Sequence, residues 1–344
     1  MSSTDLSSQG NGSSELTVTV LGCGTMGIAI LSGILASLHD MQGRVVLAPS
    51  SSGTSTPQVP EEMPARLPSR FIACVRRPES AKKVKSALRE HLGAVRIVQN
   101  DNVAAVQQAE VVLLACKPFM VKDVLGEPGM AAALSGKLLI SILAGVGEAQ
   151  LERTLYPDGG SNSDSTAATT TRCRIVRAMP NTASLIRESM TVINTPSPPL
   201  PQETSDLVTW IFRRIGEVVY LPPANMDACT ALCGSGPAFF ALMLEAAIDG
   251  AVAMGLPRTE AQRMAAQTMR GTAGLVLNGD HPALLRDKVS TPGGCTIGGL
   301  LVLEEGRVRG TVARAVREAT VVASQLGKGV QGVNGTRFSS SQLD

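Results

Sequence analysis

Three glycines near the start of the chain, Gly22, Gly24 and Gly27, have the spacing G-x-G-x-x-G. They follow an apolar run, Leu16 to Leu21, that predicts a β-strand, and precede a stretch that predicts a helix from Thr25 to about Leu38. In this setting the glycines allow a tight turn, a close backbone approach to a pyrophosphate, and close packing of the helix on the strand. The helix start adds free N–H groups that face a phosphate. The pattern predicts a dinucleotide site, the alternative being a glycine-rich turn without a ligand.

Two arginines, Arg76 and Arg77, follow the next predicted strand, Phe71 to Val75. An acidic residue about 20 positions after the glycine motif usually binds the ribose 2′-hydroxyl. Asp40 has nearly that spacing, but it follows the helix and is interpreted as a surface residue. Two guanidiniums suit a 2′-phosphate. We therefore predict NADPH as the cofactor, with NADH as a weaker substitute; a solvated arginine pair is the alternative.

A second loop whose residues could bind a ligand runs from Val289 to Thr296. Pro292-Gly293-Gly294 predicts a turn in conformations that only glycine adopts readily. A helix is expected from about Ile297, so the loop can direct consecutive backbone N–H groups at a carboxylate. Thr291 and Thr296 add hydroxyl groups. The loop is interpreted as an anion site, with an ordinary helix-start turn left open.

These loops need a scaffold, and the chain predicts one of alternating strands and helices. Further strands are expected at Val95 to Val98, Val111 to Cys116, Leu138 to Leu143 and Arg174 to Met179. The alternation is typical of a doubly wound α/β sheet. We predict a Rossmann dinucleotide-binding domain over 15–180, with loop insertions at about 49–70 and 158–171, a helical domain over 181–330, and disordered tails at 1–14 and 331–344.

The helical half contains one long apolar segment, Gly236 to Leu256, interrupted by Glu245 and Asp249. These two carboxylates argue against a membrane span. The segment is apolar nearly all round, which is typical of a buried core helix or of a subunit interface. We favour the interface.

Composition excludes several classes of function. Lys plus Arg is 31, Asp plus Glu is 29, and aromatic residues are 3% of the chain, so a nucleic-acid-binding protein is not expected. The seven cysteines form no C-x-x-C pair, and there are only three histidines, so no disulfide framework or metal site is indicated. The first 14 residues match neither a secretory signal nor a transit peptide. A cytoplasmic location is expected.

Six motifs, in this order, carry a resemblance to a known family: VLGCGTMG, VVLLACKP, ISILAG, RAMPNT, ALCGSGPAFF and DKVSTPGGCTIGGL. Over about residues 16–327 the chain resembles fungal-type pyrroline-5-carboxylate reductase. The resemblance implies an N-terminal Rossmann domain, a C-terminal all-α dimerisation domain, and NADPH-dependent reduction of (S)-1-pyrroline-5-carboxylate to L-proline, the last step of proline synthesis. It also implies a homodimer or a larger assembly, a decamer in many related enzymes.

The resemblance carries site residues over by position. Besides Arg76 and Arg77, the cofactor would contact Leu21, Gly22, Cys23, Gly24, Thr25, Met26, Gly27, Asn102, Ala115, Cys116, Lys117, Pro118, Ile142, Leu143, Ala144, Asn181 and Lys288. The substrate would contact Val289, Thr291, Gly293, Gly294, Cys295 and Thr296, with Thr296, or a water that it orients, giving a proton to the ring nitrogen.

Two residues depart from the family pattern. Cys295 replaces a Thr or Ala, and an accessible thiol at a helix start is a candidate for oxidation. Ala183 stands where a Pro usually follows MPNT, and we expect this change to affect loop stiffness more than chemistry.

Other readings of function stay open at this point. One alternative is an enzyme of the same architecture that acts on another cyclic imine acid or on a hydroxy acid. A hydroxy-acid dehydrogenase would need a general base, and only Lys288 lies near the motif. A catalytically silent NADPH sensor is a further alternative, although it would not need a carboxylate-binding loop.

Overall fold

The computed structural model describes residues 15–44, 63–157, 172–330, 333 and 335–336. Clustering of contacts divides the chain into two units, Met1–Met226 and Asp227–Asp344. The predicted tails, the segment 158–171 and most of the insertion at 49–70 lie outside the described residues.

The first unit is built on one eight-stranded sheet. Its strands are β1 (Leu16–Leu21), β2 (Pro68–Val75), β3 (Val95–Gln99), β4 (Val111–Leu114), β5 (Leu138–Ser141), β6 (Arg174–Met179), β7 (Ser189–Asn194) and β8 (Gly216–Leu221). Their spatial order is β3-β2-β1-β4-β5-β6-β7-β8. Strands β1 to β6 are parallel, β7 is antiparallel to β6, and β8 is parallel to β7. The first six strands have the Rossmann order, which confirms the predicted fold class.

Helices cover the sheet in this unit: α1 (Thr25–Arg44), α2 (Pro78–Ala87), α3 (Asn102–Gln107), α4 (Val121–Leu125), α5 (Met130–Ala133), α6 (Glu148–Leu155) and α7 (Gln202–Arg213). Strands β1, β4 and β5 are buried along their whole length. Their residues are apolar except for Thr17, Thr19 and Ser141, which is typical of parallel strands that are covered on both faces. Two buried clusters result, one around Ile30 and Trp210 and the other around Leu114 and Leu139.

The boundary between the units differs from the prediction. The sheet continues through β7 and β8, so the first unit ends at Met226 and not at residue 180. Within residues 189–221, Ile193, Trp210 and Phe212 belong to the core of this unit. The predicted insertion at 49–70 also ends earlier, because β2 begins at Pro68. Helix α1 extends to Arg44, six residues past its predicted end.

The second unit is helical. Its helices are α8 (Met226–Cys229, which straddles the boundary), α9 (Gly236–Ala253), α10 (Arg258–Leu277), α11 (Pro282–Val289), α12 (Cys295–Glu305) and α13 (Val308–Gly327), with a π-helical turn at Thr230–Gly234. By length and composition, one helical stretch, Pro223–Ala253, would suffice to cross a membrane, a test that core and interface helices also pass.

Helix α9 is not a core helix within one chain. Only Gly236 and Ile248 of its residues are buried, and Leu242 keeps 67% of its surface exposed. The core interpretation of this segment is therefore wrong for the single chain, because α10, which lies against α9, leaves most of its residues exposed. A helix this apolar and this exposed is typical of a surface that another subunit covers.

A small clamp joins the residues on either side of segment 158–171. The backbone N–H of Cys173 donates to the Tyr156 hydroxyl at 3.1 Å. The guanidinium of Arg172 lies 4.8 Å from the centre of the Tyr156 ring. The clamp fixes the end of α6 to the start of β6.

Candidate functional site

The loop after β1 requires glycine at each of its three motif positions for a different steric reason. Gly22 has φ +78°, and a Cβ there would lie 2.6 Å from the Cα of Cys116. At Gly27 a Cβ would lie 3.0 Å from Val20 Cγ1, so α1 packs directly on β1. Gly24 is exposed, and only the Gly22 carbonyl oxygen, at 3.9 Å, lies near its Cβ position. The open space at Gly24 is where the backbone is accessible to a pyrophosphate.

Neighbouring strands hold this loop in place. The N–H of Cys23 donates to the Cys74 carbonyl at 2.9 Å, and that of Ala115 to the Leu21 carbonyl at 2.9 Å. Cys23, Cys74 and Cys116 are buried beneath the loop. Burial raises the pKa of Cys23 and Cys74 to about 12 and that of Cys116 to about 11. The three thiols are therefore neutral and add no negative charge beside a phosphate site.

Arg76 and Arg77 follow β2 at the carboxyl edge of the sheet, next to the glycine loop, and both are exposed. Within the described ranges neither guanidinium forms an ion pair with a carboxylate. Asp40 is exposed, as predicted, but it lies within α1 and does not follow the helix. The carboxyl end of β2 thus presents two positive charges and no carboxylate from Asp40.

The other predicted cofactor residues of this unit end strands at the same edge. Ala115, Cys116, Lys117 and Pro118 follow β4, and Ile142, Leu143 and Ala144 follow β5. This edge, where the strand order reverses between β1 and β4, is the ligand-binding edge of doubly wound sheets. Asn102 also follows its strand, but its side-chain amide donates to Glu127 Oε2 at 3.3 Å, so it is already engaged.

Asn181 lies beyond β6 in a dense hydrogen-bond network. Its N–H donates to Ser189 Oγ at 3.0 Å, and its carbonyl oxygen accepts from the Ser184 hydroxyl at 2.5 Å. Its Oδ1 accepts from the N–H of Ala183 at 3.0 Å, which caps the 3₁₀ turn Thr182–Ile186. Sequence analysis did not find Ser184 and Ser189, which are both buried, because strand β7, which supplies Ser189, was not predicted.

The predicted anion loop lies in the second unit. The Gly294 N–H donates to the Thr291 carbonyl at 3.0 Å, with Pro292 and Gly293 (φ +67°) in the centre of a type II turn. Helix α12 begins at Cys295, two residues before the predicted start, with Gly294 as its N-cap residue. The first N–H groups of α12 have no acceptor within the helix, and no side-chain cap satisfies them. Thr296 is half-buried, while Thr291 and Cys295 are exposed.

Two predicted ligand-binding residues, Lys288 and Val289, precede this loop. Lys288 pairs with Asp280, with Nζ and Oδ1 2.7 Å apart, so its charge is balanced within the unit. Val289 is the last residue of α11 and is exposed. In the part of the chain that the structure describes, no group of three His, Cys, Asp or Glu residues is placed to hold a metal ion.

Comparison with known families matches both units. Residues 223–326 match a family described as pyrroline-5-carboxylate reductase dimerisation. Residues 17–145 match one described as NADP oxidoreductase coenzyme F420-dependent.

Individual proteins match over nearly the whole chain. The pyrroline-5-carboxylate reductase of Lophium arboricola is 67% identical, covering 94% of this chain and 98% of its own length. That of Neurospora crassa is 60% identical, covering 94% and 97%. Among solved structures, pyrroline-5-carboxylate reductase from Coxiella burnetii is 27% identical with a TM-score of 0.69, covering 90% of this chain and 97% of its own. The NADP-bound enzyme from Plasmodium falciparum, at 24% identity and a TM-score of 0.68, covers 92% and 99% and has the same fold.

Proposed function

Since this chain belongs to the pyrroline-5-carboxylate reductase family, we propose that it reduces (S)-1-pyrroline-5-carboxylate to L-proline with NADPH. The observation that carries this function is the presence of two separate loops whose backbone N–H groups and charge suit an anion. One is a dinucleotide loop beside two arginines, and the other is a helix start with free N–H groups and no carboxylate between Ser290 and Thr296.

NADPH supplies the hydride. The chain's own residues hold the cofactor: Gly24 leaves room for the pyrophosphate, the first N–H groups of α1 face it, and Arg76 and Arg77 pair with the 2′-phosphate. Lys117, Pro118 and residues 142–144 line the same edge. Gly22 and Gly27 act indirectly, because they allow the loop to lie against Cys116 and Val20.

The loop at 289–296 binds the substrate carboxylate. The N–H groups at the start of α12 and the Thr291 hydroxyl are its donors, and the helix dipole favours the negative charge. Hydride addition to a C=N carbon is easier when the nitrogen is protonated. Thr296, half-buried in the first turn of α12, orients a water that gives this proton. Neither a hydroxyl nor a water has a pKa suited to donation on its own at neutral pH, so the proposed route is a relay. The water gives a proton to the ring nitrogen and takes a replacement proton from bulk solvent.

The test follows NADPH oxidation by absorbance with pyrroline-5-carboxylate as the substrate and NADH measured in parallel. We expect turnover that is faster with NADPH. Faster turnover with NADH would retain the reaction and reject the arginine pair as the phosphate clamp. Cofactor binding without turnover would reject the reaction and favour another imine acid or a sensor.

The assembly is a homo-oligomer. Its smallest form is a dimer joined through the exposed apolar helices of the second unit, and a decamer of five dimers is the proposed full assembly. Light scattering during size-exclusion chromatography tests the decamer, and a mass of two chains would reject it. The cytoplasm is the proposed compartment, which is supported by seven free thiols, six of them at least partly buried.

A further inference from the structure

Asn181 has one side of its side-chain amide occupied and the other side open. Its Oδ1 accepts the Ala183 N–H, and that bond settles which amide atom faces the 3₁₀ turn, because a backbone N–H needs an acceptor. The amide nitrogen Nδ2 has no hydrogen-bond partner among the described residues. Nδ2 is not a buried atom, so it remains accessible to a ligand.

The backbone of Asn181 is held as firmly as its side chain. Its N–H and its carbonyl oxygen bond to the hydroxyls of Ser189 and Ser184, and these serines are 1% and 2% exposed. Ser189 is itself anchored, since its N–H donates to the Ile215 carbonyl at 2.9 Å. With the backbone fixed and Oδ1 turned toward the Ala183 N–H, the amide presents Nδ2, a donor, on the side that faces away from the turn.

The position of Asn181 places this donor at the ligand-binding edge. In the parallel pair β5–β6, Ser141 lies opposite Arg177, so the two strands end at the same edge of the sheet. Asn181, two residues past β6, therefore lies at the edge that residues 142–144 also occupy. Residues 142–144 belong to the proposed cofactor site. A nicotinamide ring bears one carboxamide, whose oxygen is a hydrogen-bond acceptor that a fixed N–H donor can bind.

We propose that Asn181 is an obligate hydrogen-bond donor to the carboxamide oxygen of the cofactor, and that Ala183 is the positioning residue that fixes this polarity. The proposal rests on the proposed function only in that NADPH is the cofactor. Ala183 acts through its N–H, which a proline at the same position would lack. Ala183 in place of the usual proline therefore affects ligand orientation, whereas the sequence predicted an effect on loop stiffness more than on chemistry.

The first test exchanges the donor without removing the cap. Both Asn181→Asp and Asn181→Ser retain an oxygen that caps the turn, so the melting temperature should stay within about 2 °C of the parent. Asn181→Ser loses the donor, and we expect NADPH to bind about 2- to 10-fold more weakly in a fluorescence titration without substrate. Asn181→Asp puts a charged acceptor against the carboxamide oxygen, and we expect a loss of about 10- to 100-fold.

The second test removes the hydrogen bond from the Ala183 N–H to Asn181 Oδ1 and leaves the Nδ2 donor in place. Ala183→Pro deletes the N–H, while Ala183→Val has a similar size and keeps it. We expect Ala183→Pro to weaken NADPH binding about 2- to 10-fold, and Ala183→Val to retain the affinity of the parent. A purely structural role would instead lower the melting temperature of Ala183→Pro and leave its affinity unchanged.

Three results would overturn the proposal: NADPH affinity unchanged in Asn181→Asp, equal affinities in Ala183→Pro and Ala183→Val, or a rise in KM for the imine acid with unchanged NADPH affinity. Because binding is measured without substrate, these results do not depend on which imine acid the enzyme reduces. Failure of the proposed reaction would be seen separately, as NADPH binding without turnover.

Discussion

Arg76 and Arg77 allow a direct test of cofactor choice at the residue scale. Both are exposed, both follow β2, and neither is paired with a carboxylate among the described residues. Replacing both by Ala removes the charge that a 2′-phosphate would meet. We expect KM for NADPH to rise about 10- to 100-fold and KM for NADH to change less than about 3-fold.

The matched control for this pair is Arg89→Ala, which removes an exposed guanidinium from the same unit. Steady-state kinetics with both cofactors should not distinguish this control from the parent. If the double variant kept the parent's ratio of the two activities, the arginines would be a solvated pair without a role in cofactor choice.

Thr296 is the residue on which the proposed proton route depends. Thr296→Val keeps the shape of the side chain and removes the hydroxyl. We expect kcat at saturating substrate to fall about 10²-fold, within the usual contribution of a general acid. Thr154→Val, which removes a helical hydroxyl bonded only to the Gln150 carbonyl, is the control. A higher KM with unchanged kcat would leave Thr296 a binding role and reject proton transfer.

The buried thiols predict a pH dependence. With pKa values raised to about 12 and 11, Cys23, Cys74 and Cys116 hold almost no thiolate below pH 9. Thiolate is the form that iodoacetamide modifies, so these three should stay unlabelled in the folded protein while exposed Cys295 reacts. Mass spectrometry of peptides after labelling from pH 7 to 9 checks this, with unfolded protein as the control. Labelling of Cys23 in folded protein would contradict the burial of the loop.

At the element scale, two glycines of the same loop have different roles: Gly22 is needed for the loop to fold, and Gly24 for NADPH to bind. Gly22→Ala forces a Cβ to 2.6 Å from Cys116 Cα at a positive φ, and should destabilise the protein by about 2–5 kcal/mol. Gly24→Ala meets open space and should change stability by less than about 0.5 kcal/mol, yet weaken NADPH binding. Thermal denaturation and NADPH fluorescence titration measure both effects. Equal stabilities of the two variants would show that the turn tolerates a side chain.

The sequence predicted the elements whose residue pattern is set locally. Strand β4 is an uninterrupted apolar run, and β1 and β5 are apolar apart from Thr17, Thr19 and Ser141. The glycine motif is informative because it directly follows a strand and directly precedes a helix. Strand β7 was missed because Ser189–Asn194 mixes polar and apolar residues, and its place depends on pairing with β6, which a local pattern does not reveal. The network around Asn181 was missed for the same reason, since Ser189 reaches it through the tertiary fold.

At the scale of the whole molecule, the second unit exposes apolar side chains that a folded monomer would normally bury. Phe240 and Leu242 of α9 and Leu301 to Leu303 of α12 are among them. The sequence alone left core and interface open for α9, because both environments select the same apolar residues. The distinction comes from the fold, in which α9 lies against α10 and still has only Gly236 and Ile248 buried.

Leu242→Asp tests the interface. A carboxylate at a surface covered by a second subunit should separate the subunits, because an unpaired buried charge is costly. We expect a lower mass by light scattering and loss of turnover, with NADPH binding to the first unit retained. Lys85→Asp, on α2 of the first unit, is the control and should keep the assembly of the parent. An unchanged mass for Leu242→Asp would place the interface on another face.

The clamp between Tyr156 and Cys173 has a use in protein engineering. Because the chain leaves α6 and enters β6 at residues that already touch, the length of the sequence between them is free to vary without displacing either element. Homologous chains should therefore align with gaps there. The same position is a suitable place to insert a peptide epitope or a fluorescent reporter, since such an insertion would leave the nucleotide-binding edge of the sheet intact.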